Sequence, residues 1–358
     1  MNQPSRSRPP QNVLLRLTSL RAFAALLVFA YHLKAIGVLN LPHLFGFSYV
    51  GVSFFFVLSG FVLTWSMPET IKPKVFLRNR FARIYPATTV VAVLLLIFPY
   101  PGLGQSVVGV VLRFLLLQAW VPIPSIAVGG NAATWSLSCE MAFYIALPFV
   151  LPVLRQMRSS GRLAIASIYF LVMSAFVAVV AVTNSGGFLQ LIAYCNPMVR
   201  FGEFLLGVVV ALEMKSGRYV KSPVLIGLGV FSLLFFGFNR AYPLPDAFLA
   251  PLFLAIIIWA AQRDMQRPNG LLASRPLVYA GEVSFCFYVV HQPVLHHILS
   301  RAGHGGIEVA MLSLVVSSVV AVILHHAVEL PCQALIRGKA SAARSVATHP
   351  EAAIEEPP

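Results

Sequence analysis

Residues 20–32 read Leu-Arg-Ala-Phe-Ala-Ala-Leu-Leu-Val-Phe-Ala-Tyr-His, an apolar run with an arginine near one end and a histidine at the other. The run belongs to a longer apolar segment, 17–36, that is long enough to cross a bilayer as a helix. Arg21 and His32 are eleven positions apart, so a helix separates them by roughly 16 Å and returns them to nearly the same face. Ionisable groups within lipid are costly and mostly face a protein interior. We therefore predict that both side chains open into one groove. The alternative is that Arg21 anchors the helix at the headgroups and His32 is a satisfied core histidine.

The rest of the chain has the composition of a polytopic membrane protein. Hydrophobic residues make up 58% of the 358 positions, only 11% are charged, and the mean hydropathy is +0.81. A soluble domain carries about 25% charged residues, so this class is excluded. We predict an all-α fold with about ten transmembrane helices, over 17–36, 50–66, 84–99, 134–154, 163–183, 196–214, 223–239, 246–261, 277–299 and 307–327.

The net charge of +14 follows membrane topology. Most of the 26 Lys and Arg residues lie before the first span and in alternate connections thereafter: 72–83, 155–162, 213–221, 262–275 and 337–344. This alternation is the positive-inside rule and predicts that both termini are cytoplasmic. The lipid bilayer is therefore the expected partner, and no nucleic acid is expected. We predict a disordered cytoplasmic N-terminus (1–15), a transmembrane domain (16–328) and a cytoplasmic C-terminal tail (329–358).

One apolar segment, 106–120, does not fit the series of spans. It carries Arg113 in its middle and is too short to cross a bilayer comfortably. We interpret it as an outer half-helix or re-entrant segment, and the sequence leaves a spanning or surface position open.

Ionisable residues inside the predicted spans are candidates for a functional site. Glu140 has no basic neighbour in sequence, so it must either meet a cation through tertiary packing or stay protonated. Arg200 and Glu203 are at i, i+3, and a structural ion pair is the alternative for them. His291 can reach His32 only through tertiary packing. The four cysteines and the histidines show no metal-ligand spacing, and no metal is expected.

Two further stretches each allow a structural and a functional interpretation. One consists of small residues and the other of basic residues. Ser59 and Gly60 allow a ligand to approach the backbone of span two, or they serve helix packing alone. Arg78, Arg80 and Arg83 lie in a predicted cytoplasmic loop. They either hold a phosphorylated donor through bidentate hydrogen bonds or only set the topology.

In this order, the motifs resemble those of the acyltransferase 3 family of bacterial integral membrane acyltransferases. Members transfer an acyl group, usually acetyl from a cytoplasmic coenzyme A thioester, to hydroxyls of sugars and other surface or secreted molecules. The matching elements are Arg21 with His32, Phe-Phe-x-x-Ser-Gly ending at Gly60, Arg-Phe-x-Arg-Ile-x-Pro from Arg80, Trp-Ser-Leu-x-x-Glu-x-x-Phe-Tyr from Trp135, Glu-Phe-x-x-Gly from Glu203, and Tyr-x-x-His-x-Pro from Tyr288.

The resemblance implies an enzyme of the bacterial plasma (inner) membrane that uses acyl-CoA, usually acetyl-CoA, and a carbohydrate or glycosylated acceptor. His32 would act as general base or become acylated, with Glu140 orienting it and Arg21 nearby. The implied donor-binding residues are Arg78, Arg80, Arg83, Ser59 and Gly60. Residues expected to contact substrate or support the site are Trp135, Tyr144, Arg200, Glu203, Tyr288 and His291.

Two departures from the family pattern bear on these expectations. Many relatives carry an acidic residue where this chain has Ser53, so any role of that carboxylate is absent here. Some relatives also have a C-terminal extracytoplasmic hydrolase-like domain. The expectation is that this chain acts alone or passes its acyl group to a separate extracytoplasmic transferase or polysaccharide assembly system.

Several alternatives remain open from the sequence. A transporter or exporter would use His32, Glu140 and His291 as a proton relay, and a purely structural membrane subunit would need none of them. A succinyl or longer-chain acyltransferase would keep the same site with a wider pocket. Exopolysaccharide, lipopolysaccharide, a glycan precursor and a small glycosylated metabolite are all compatible acceptors.

Overall fold

The computed structural model describes residues 14–42, 45, 50–70, 72–101, 103, 106–183, 186–218, 249–267 and 269–337. Over these ranges the regular structure is helical and contains no strand, which confirms the predicted all-α class. The predicted span 223–239 and most of the predicted disordered N-terminus lie outside the described residues, as does the tail beyond Arg337.

Thirteen α-helices and one π-helical segment account for the main elements in these ranges. They are α1 (Leu15–Ala35), α2 (Gly51–Ser66), α3 (Pro73–Ile97), α4 (Val107–Phe114), α5 (Pro124–Ala127), α6 (Trp135–Gln156), α7 (Ser159–Thr183), α8 (Gly186–Cys195), α9 (Pro197–Lys215), α10 (Ala250–Gln266), α11 (Arg275–Ala302), α12 (Ile307–Leu324), the π segment (His325–Glu329) and α13 (Leu330–Arg337).

Six helical stretches within the described ranges are long and apolar enough to cross a bilayer. They are Leu15–Ala35, Pro73–Ile97, Ala132–Gln156, Ser159–Thr183, Gly186–Lys215 and Ile307–Arg337. Helix α2 is apolar but shorter, and the 28-residue α11 carries more polar residues. The chain is therefore a multi-pass membrane protein, while the total of ten spans and the cytoplasmic termini stay predictions.

The basic stretch expected to be a loop is instead the first half of α3. This helix begins at Pro73, which suits the first helical position because its missing N–H has no intrahelical partner there. No glycine interrupts residues 73–97, and the helix continues through Pro86. Arg78, Arg80 and Arg83 are consequently held at helical spacing, so Arg80 and Arg83 project from nearly the same face.

The segment 106–120 contains the eight-residue α4, which is about 12 Å long and too short to span. The Ser106 side chain caps it by accepting a hydrogen bond from Gly109 N at 3.0 Å. The buried Arg113 guanidinium donates to Gly129 O at 2.5 Å, and Tyr100 Oη donates to Gly130 O at 2.6 Å. The Arg113 contact holds α4 against the connection that leads into α6, and the Tyr100 contact joins the segment after α3 to the same connection.

Glycines set the two closest helix crossings near the site. A Cβ on Gly60 would overlap the carbonyl of Phe204, and a Cβ on Gly207 would overlap the carbonyl of Val57. The α2–α9 crossing therefore depends on one glycine from each helix. Gly281 of α11 approaches the Thr18 carbonyl of α1 in the same way.

A buried ion pair joins the start of α1 to the end of α10. Arg16 Nη1 donates to Asp264 Oδ1 at 2.6 Å, and the backbone N–H of Arg16 donates to Asp264 Oδ2 at 2.9 Å. Both side chains are almost fully buried. Arg16 is thus a structural residue in addition to contributing to the charge asymmetry.

Candidate active site

A cleft opens among α1, α2, α3, α6 and α11, and its empty space is about 780 Å³ with the mouth included. Half of the residues that the motifs nominate line this cleft. The lining side chains that carry polar groups are Arg21, Ser59, Arg80, Arg83, Ser136, Glu140, Tyr144, Ser284 and Tyr288. Five separate sequence motifs therefore converge on one space.

Three of the lining residues are arginines, from two helices. Arg21 comes from α1, and Arg80 and Arg83 come from α3. No salt bridge holds any of these guanidiniums among the described residues, and the buried Nε of Arg80 has no hydrogen-bond partner there. Such a cluster presents unused donors and positive charge to a ligand, as anion sites do.

Arg78 does not share this space. Its side chain is exposed and donates through Nη2 to Arg337 O of α13 at 3.1 Å. The structure therefore places Arg78 apart from Arg80 and Arg83, and its assignment as a donor-binding residue stays a prediction.

Glu140 lies on the same wall as the arginines. Its Oε2 accepts a hydrogen bond of 2.9 Å from Tyr144 Oη, one turn further along α6, and Tyr144 also hydrogen-bonds Ser59. Glu140 interacts electrostatically with Arg21, Arg80 and Arg83. These arginines supply the positive charge that a carboxylate inside a membrane span requires. Among the described residues no hydrogen bond joins Glu140 to His32, and the partners of Glu140 lie at the arginine end of the cleft.

His32 has a different partner, on α11. His291 Nε2 lies 3.1 Å from His32 Nδ1, and the two ring centroids are 5.0 Å apart. Tertiary packing of α1 on α11 brings together residues that are 259 positions apart in sequence. The sequence gives each histidine as a candidate but carries no signal for their pairing.

The cleft reaches Arg21 but stops short of His32. Tyr288 lines the cleft, and its ring centroid is 5.7 Å from that of His291. Tyr288 Oη donates to Ala133 O at 2.8 Å, which fixes the phenol. The expectation that Arg21 and His32 open into one continuous groove is not met, because Arg21 lines the cleft and His32 does not.

Trp135, Arg200 and Glu203 form a separate buried cluster around the Arg200 guanidinium. Arg200 Nη1 is 3.3 Å from Glu203 Oε1, and Arg200 Nη2 donates to Ser53 Oγ at 2.9 Å. The indole of Trp135 lies 5.7 Å from the guanidinium carbon, within cation–π range. Ser53 thus occupies the place where many relatives have a carboxylate, and Glu203 supplies the negative charge. None of the three nominated residues lines the cleft.

Gly60 also differs from its neighbour Ser59. Ser59 lines the cleft, whereas Gly60 packs against the Phe204 carbonyl of α9. The structure thus favours the packing alternative for Gly60, and its assignment as a donor-binding residue stays a prediction.

Sequence reasoning missed one carboxylate, because it placed Glu329 at the start of a tail. Glu329 is only 2% exposed, and it ends the π segment between α12 and α13. Its carboxylate contacts Cys286 Sγ at 3.2 Å, His325 Nδ1 at 2.7 Å and Gln333 Nε2 at 2.9 Å. It also interacts electrostatically with Arg83. The i, i+4 spacing of His325 and Glu329 was the available signal, and the charge pattern beyond 328 obscured it.

Cys286, His325 and Glu329 are also the described residues whose donor atoms lie close enough to hold a metal ion, within 4.8 Å of one another. Their mutual hydrogen bonds account for the arrangement, because the thiol and the imidazole both face the same carboxylate oxygen.

Comparison with known proteins identifies the family of the chain. A family model described as an acyltransferase domain matches residues 14–326. The chain is 34% identical to the acyltransferase MdmB of Streptomyces mycarofaciens, over 98% of both chains. It is 26% identical to nodulation protein 10 of Rhizobium leguminosarum bv. viciae, over 71% of this chain and 74% of the relative. It is 25% identical to the O-acetyltransferase OatA of Staphylococcus aureus over 88% of this chain, which spans 56% of that relative's length.

No solved structure matches the chain. The family match covers the helices that build the cleft, from α1 to the first residues of the π segment. The chain therefore belongs to the acyltransferase 3 family, and it is a multi-pass membrane enzyme that transfers acyl groups.

Proposed function

We propose that the protein transfers an acyl group, usually acetyl, from cytoplasmic acyl-CoA to a hydroxyl of a surface or exported carbohydrate. The observation that carries the proposal is the cleft with three arginines free of salt bridges among the described residues, Arg21, Arg80 and Arg83. By the positive-inside rule this end of the cleft is the cytoplasmic one. The proposed location is the bacterial plasma (inner) membrane.

The phosphates of the donor bind at the arginines. Arg80 lines a second cavity as well, which lies at the predicted cytoplasmic mouth and also contains Lys72 and Asn79. The two spaces therefore share the Arg80 side chain, and the buried Oδ1 of Asn79 has no hydrogen-bond partner in the described ranges. Phosphate oxygens suit the planar guanidinium groups, and a nucleotide base offers N–H donors to an unused carbonyl.

Glu140 keeps the cleft from being uniformly positive. Tyr144 donates to the carboxylate, which interacts electrostatically with the three arginines and forms no salt bridge with them among the described residues. Its role in the proposal is to orient the donor-binding arginines, in place of the imidazole orientation expected from sequence.

The acyl end of the donor must pass Tyr288 to reach His32. Phe55 faces Tyr288 across the cleft, with ring centroids 5.9 Å apart, and Phe55 is partly exposed to the open space. A rotation of the Phe55 ring widens this point without breaking a hydrogen bond. Donor binding therefore requires a side-chain movement at this level of the membrane.

At His32 the reaction is an acyl transfer in which each atom is accounted for. The acceptor hydroxyl gives its proton to the imidazole as its oxygen attacks the thioester carbonyl, forming the C–O bond. The C–S bond then breaks, and the leaving thiolate takes the proton back from the imidazolium. General-base help of this kind contributes about 10²–10⁴-fold. In the two-step alternative, the imidazole itself is acylated before the hydroxyl attacks.

The acceptor approaches from the opposite end of the bundle. His32 is partly exposed and lies near the predicted outer end of α1, while the arginines occupy the inner half. An acceptor outside the cytoplasm and a donor inside it thus meet at one side chain. Transfer of the acyl group from this enzyme to a separate extracytoplasmic partner is also compatible with this arrangement.

The test uses the purified protein in lipid nanodiscs. Coenzyme A should raise the unfolding temperature of the wild type and of Arg78→Ala, which is the matched control because Arg78 lies outside the cleft. Arg80→Ala and Arg83→Ala should lose the shift. An equal shift in all four proteins would contradict donor binding at the arginines.

Activity and transport are tested separately. Mass spectrometry of surface glycans and exported metabolites from deletion and complemented strains should reveal an acyl mass that disappears with His32→Ala. Unchanged acylation by His32→Ala would remove His32 from the reaction. Substrate flux into vesicles without any acyl donor would favour a transporter.

A further inference from the structure

We infer that His291 is a positioning residue that, together with the Val28 carbonyl, holds the His32 ring with its proton on Nδ1. Nε2 of His32 is then the bare nitrogen that takes the proton of the acceptor hydroxyl. The catalytic meaning rests on the proposed function, whereas the tautomer itself follows from the packing of α1 on α11.

Two backbone carbonyls fix the protons on both rings. His32 Nδ1 lies 2.9 Å from Val28 O, and His291 Nδ1 lies 3.2 Å from Phe287 O, each one turn earlier on its own helix. A carbonyl oxygen can only accept, so both Nδ1 atoms must carry hydrogen. A neutral imidazole has one N–H, so each Nε2 is bare.

The contact between the rings is consistent with this assignment. His291 Nε2, left without hydrogen, accepts from His32 Nδ1 at 3.1 Å. The single His32 N–H is thereby shared between Val28 O and His291 Nε2. The opposite assignment, with a hydrogen on His291 Nε2, requires a bare His32 Nδ1 facing the Val28 carbonyl, which places two acceptors 2.9 Å apart.

The surroundings keep His291 neutral and in place. The ring is fully buried, and the rings of Phe29, Phe287 and Tyr288 surround it at centroid distances of 5.7–6.2 Å. A charged imidazole in such an apolar position, beside a second histidine, is unfavourable. Tyr31 and His296 are the other titratable groups near His32, and no carboxylate contacts either ring among the described residues.

Exposure separates the roles of the two histidines. His32 is partly exposed, whereas His291 has no exposed surface. His291 therefore acts only through His32. When His32 gains a proton on Nε2, its Nδ1–H becomes a charge-assisted donor to His291 Nε2, and this hydrogen bond strengthens as the proton is transferred.

As in a serine protease triad, the Nδ1–H of the catalytic histidine donates to a second residue. Here that residue is the neutral imidazole of His291, where the triad has a carboxylate. An acceptor-only atom at Nδ1 is what sets the tautomer in both cases. A neutral partner stabilises the imidazolium less than a carboxylate does, but it introduces no buried negative charge within the membrane.

Two variants at position 291 and one spectroscopic measurement test the inference. Nitrogen-15 NMR of histidine-labelled protein in nanodiscs distinguishes a protonated ring nitrogen from a bare one. The His32 signals are identified by their loss in His32→Gln. The expected result for the wild type is a protonated Nδ1 and a bare Nε2 on His32, and the reverse assignment would overturn the inference.

His291→Phe keeps the ring volume but removes the acceptor, and it should lower kcat by about 10²-fold with little change in donor KM. His291→Gln places a carbonyl oxygen near the position of Nε2 and should restore part of this loss. His304→Gln, at an exposed position, is the control and should match the wild type. Equal activity of the Phe variant and the wild type, or equal losses in the Phe and Gln variants, would contradict the positioning role.

The NMR result also separates the two proposals. If His291→Phe does not fold, the nitrogen-15 signals of His291 in the wild type decide, because the inference requires a bare His291 Nε2 and a protonated one would overturn it. If the expected tautomer is found in a protein that transfers no acyl group from any thioester, the positioning geometry stands and the proposed function fails.

Discussion

The thiol of Cys286 on α11 lies 3.2 Å from Oε2 of Glu329, at the end of the π segment that follows α12. The same oxygen contacts His325 Nδ1 at 2.7 Å. A single buried carboxylate therefore joins two helices at the predicted cytoplasmic end of the site. π-Helical segments often accompany functional positions, because the extra residue turns side chains toward one point.

Glu329→Gln should lower the stability of the protein by about 1.5–3 kcal/mol, because hydrogen bonds to a charged group are worth about this much. The substitution keeps the shape of the side chain but replaces a buried carboxylate, which contacts His325 Nδ1 at 2.7 Å and Gln333 Nε2 at 2.9 Å, with a neutral amide. Thermal unfolding of the purified variants measures this, and Glu308→Gln, at an exposed position, is the control. Equal unfolding temperatures of the two variants would show that the Glu329 carboxylate does not stabilise the packing of α11 on the π segment.

Gly60→Ala and Gly207→Ala should each lower the stability of the protein by about 1–3 kcal/mol. In both cases the new methyl group meets a backbone carbonyl of the other helix, which cannot move aside without separating α2 from α9. Gly187→Ala is the matched control, since a Cβ at that position meets nothing within 4 Å. Thermal unfolding of the purified variants checks the prediction. A Gly207→Ala protein as stable as Gly187→Ala would contradict the close crossing.

Asp264→Asn should destabilise the protein by about 3–5 kcal/mol, because it leaves the buried charge of Arg16 without its ion-pair partner. The exposed contact between His304 and Glu308 provides a comparison, and its loss should cost at most about 1 kcal/mol. Unfolding temperatures of Asp264→Asn and Glu308→Gln distinguish the two cases. Equal stability of these variants would mean that α1 is not anchored through Arg16.

We expect ionisation of the Tyr100 phenol to destabilise the protein at high pH. Burial raises the pKa of Tyr100 to about 12, and the phenol donates to Gly130 O. An unfolded tyrosine titrates near pH 10, so the contribution is complete below about pH 10 and is lost as the pH rises towards 12. The wild type should thus lose stability over this range more steeply than Tyr100→Phe. Parallel pH profiles of the two proteins would contradict this assignment.

The sequence predicted the helical membrane fold because span length and charge alternation are local properties. Helices α1, α2 and α6 begin and end within two residues of the predicted spans. The start of α3 was misjudged, since positive charge near a membrane surface marks topology and does not by itself distinguish a loop from a helix. The extension of the last helix to Arg337 was missed for the same reason.

Motif spacing nominated most of the residues that line the cleft, including Arg21, Glu140 and Tyr144. It did not assign partners, because the pairing of His32 with His291 and the separation of Arg200 from the cleft depend on how distant helices cross. The limit of motif spacing, which does not tell which neighbour each residue faces, is clearest for the small residues of α2. Ser59 and Gly60 are adjacent in one motif, yet one faces the cleft and the other faces α9.

The contact of Gly281 with the Thr18 carbonyl has a consequence for the two histidines. Gly281 and His291 are ten helical residues, or roughly 15 Å, apart on α11. A methyl group at position 281 would push α11 away from α1 at this crossing, and the resulting change in helix angle would increase the distance between the two imidazole rings. The spacing of the imidazoles is thus governed by a residue that has no side chain and touches neither of them.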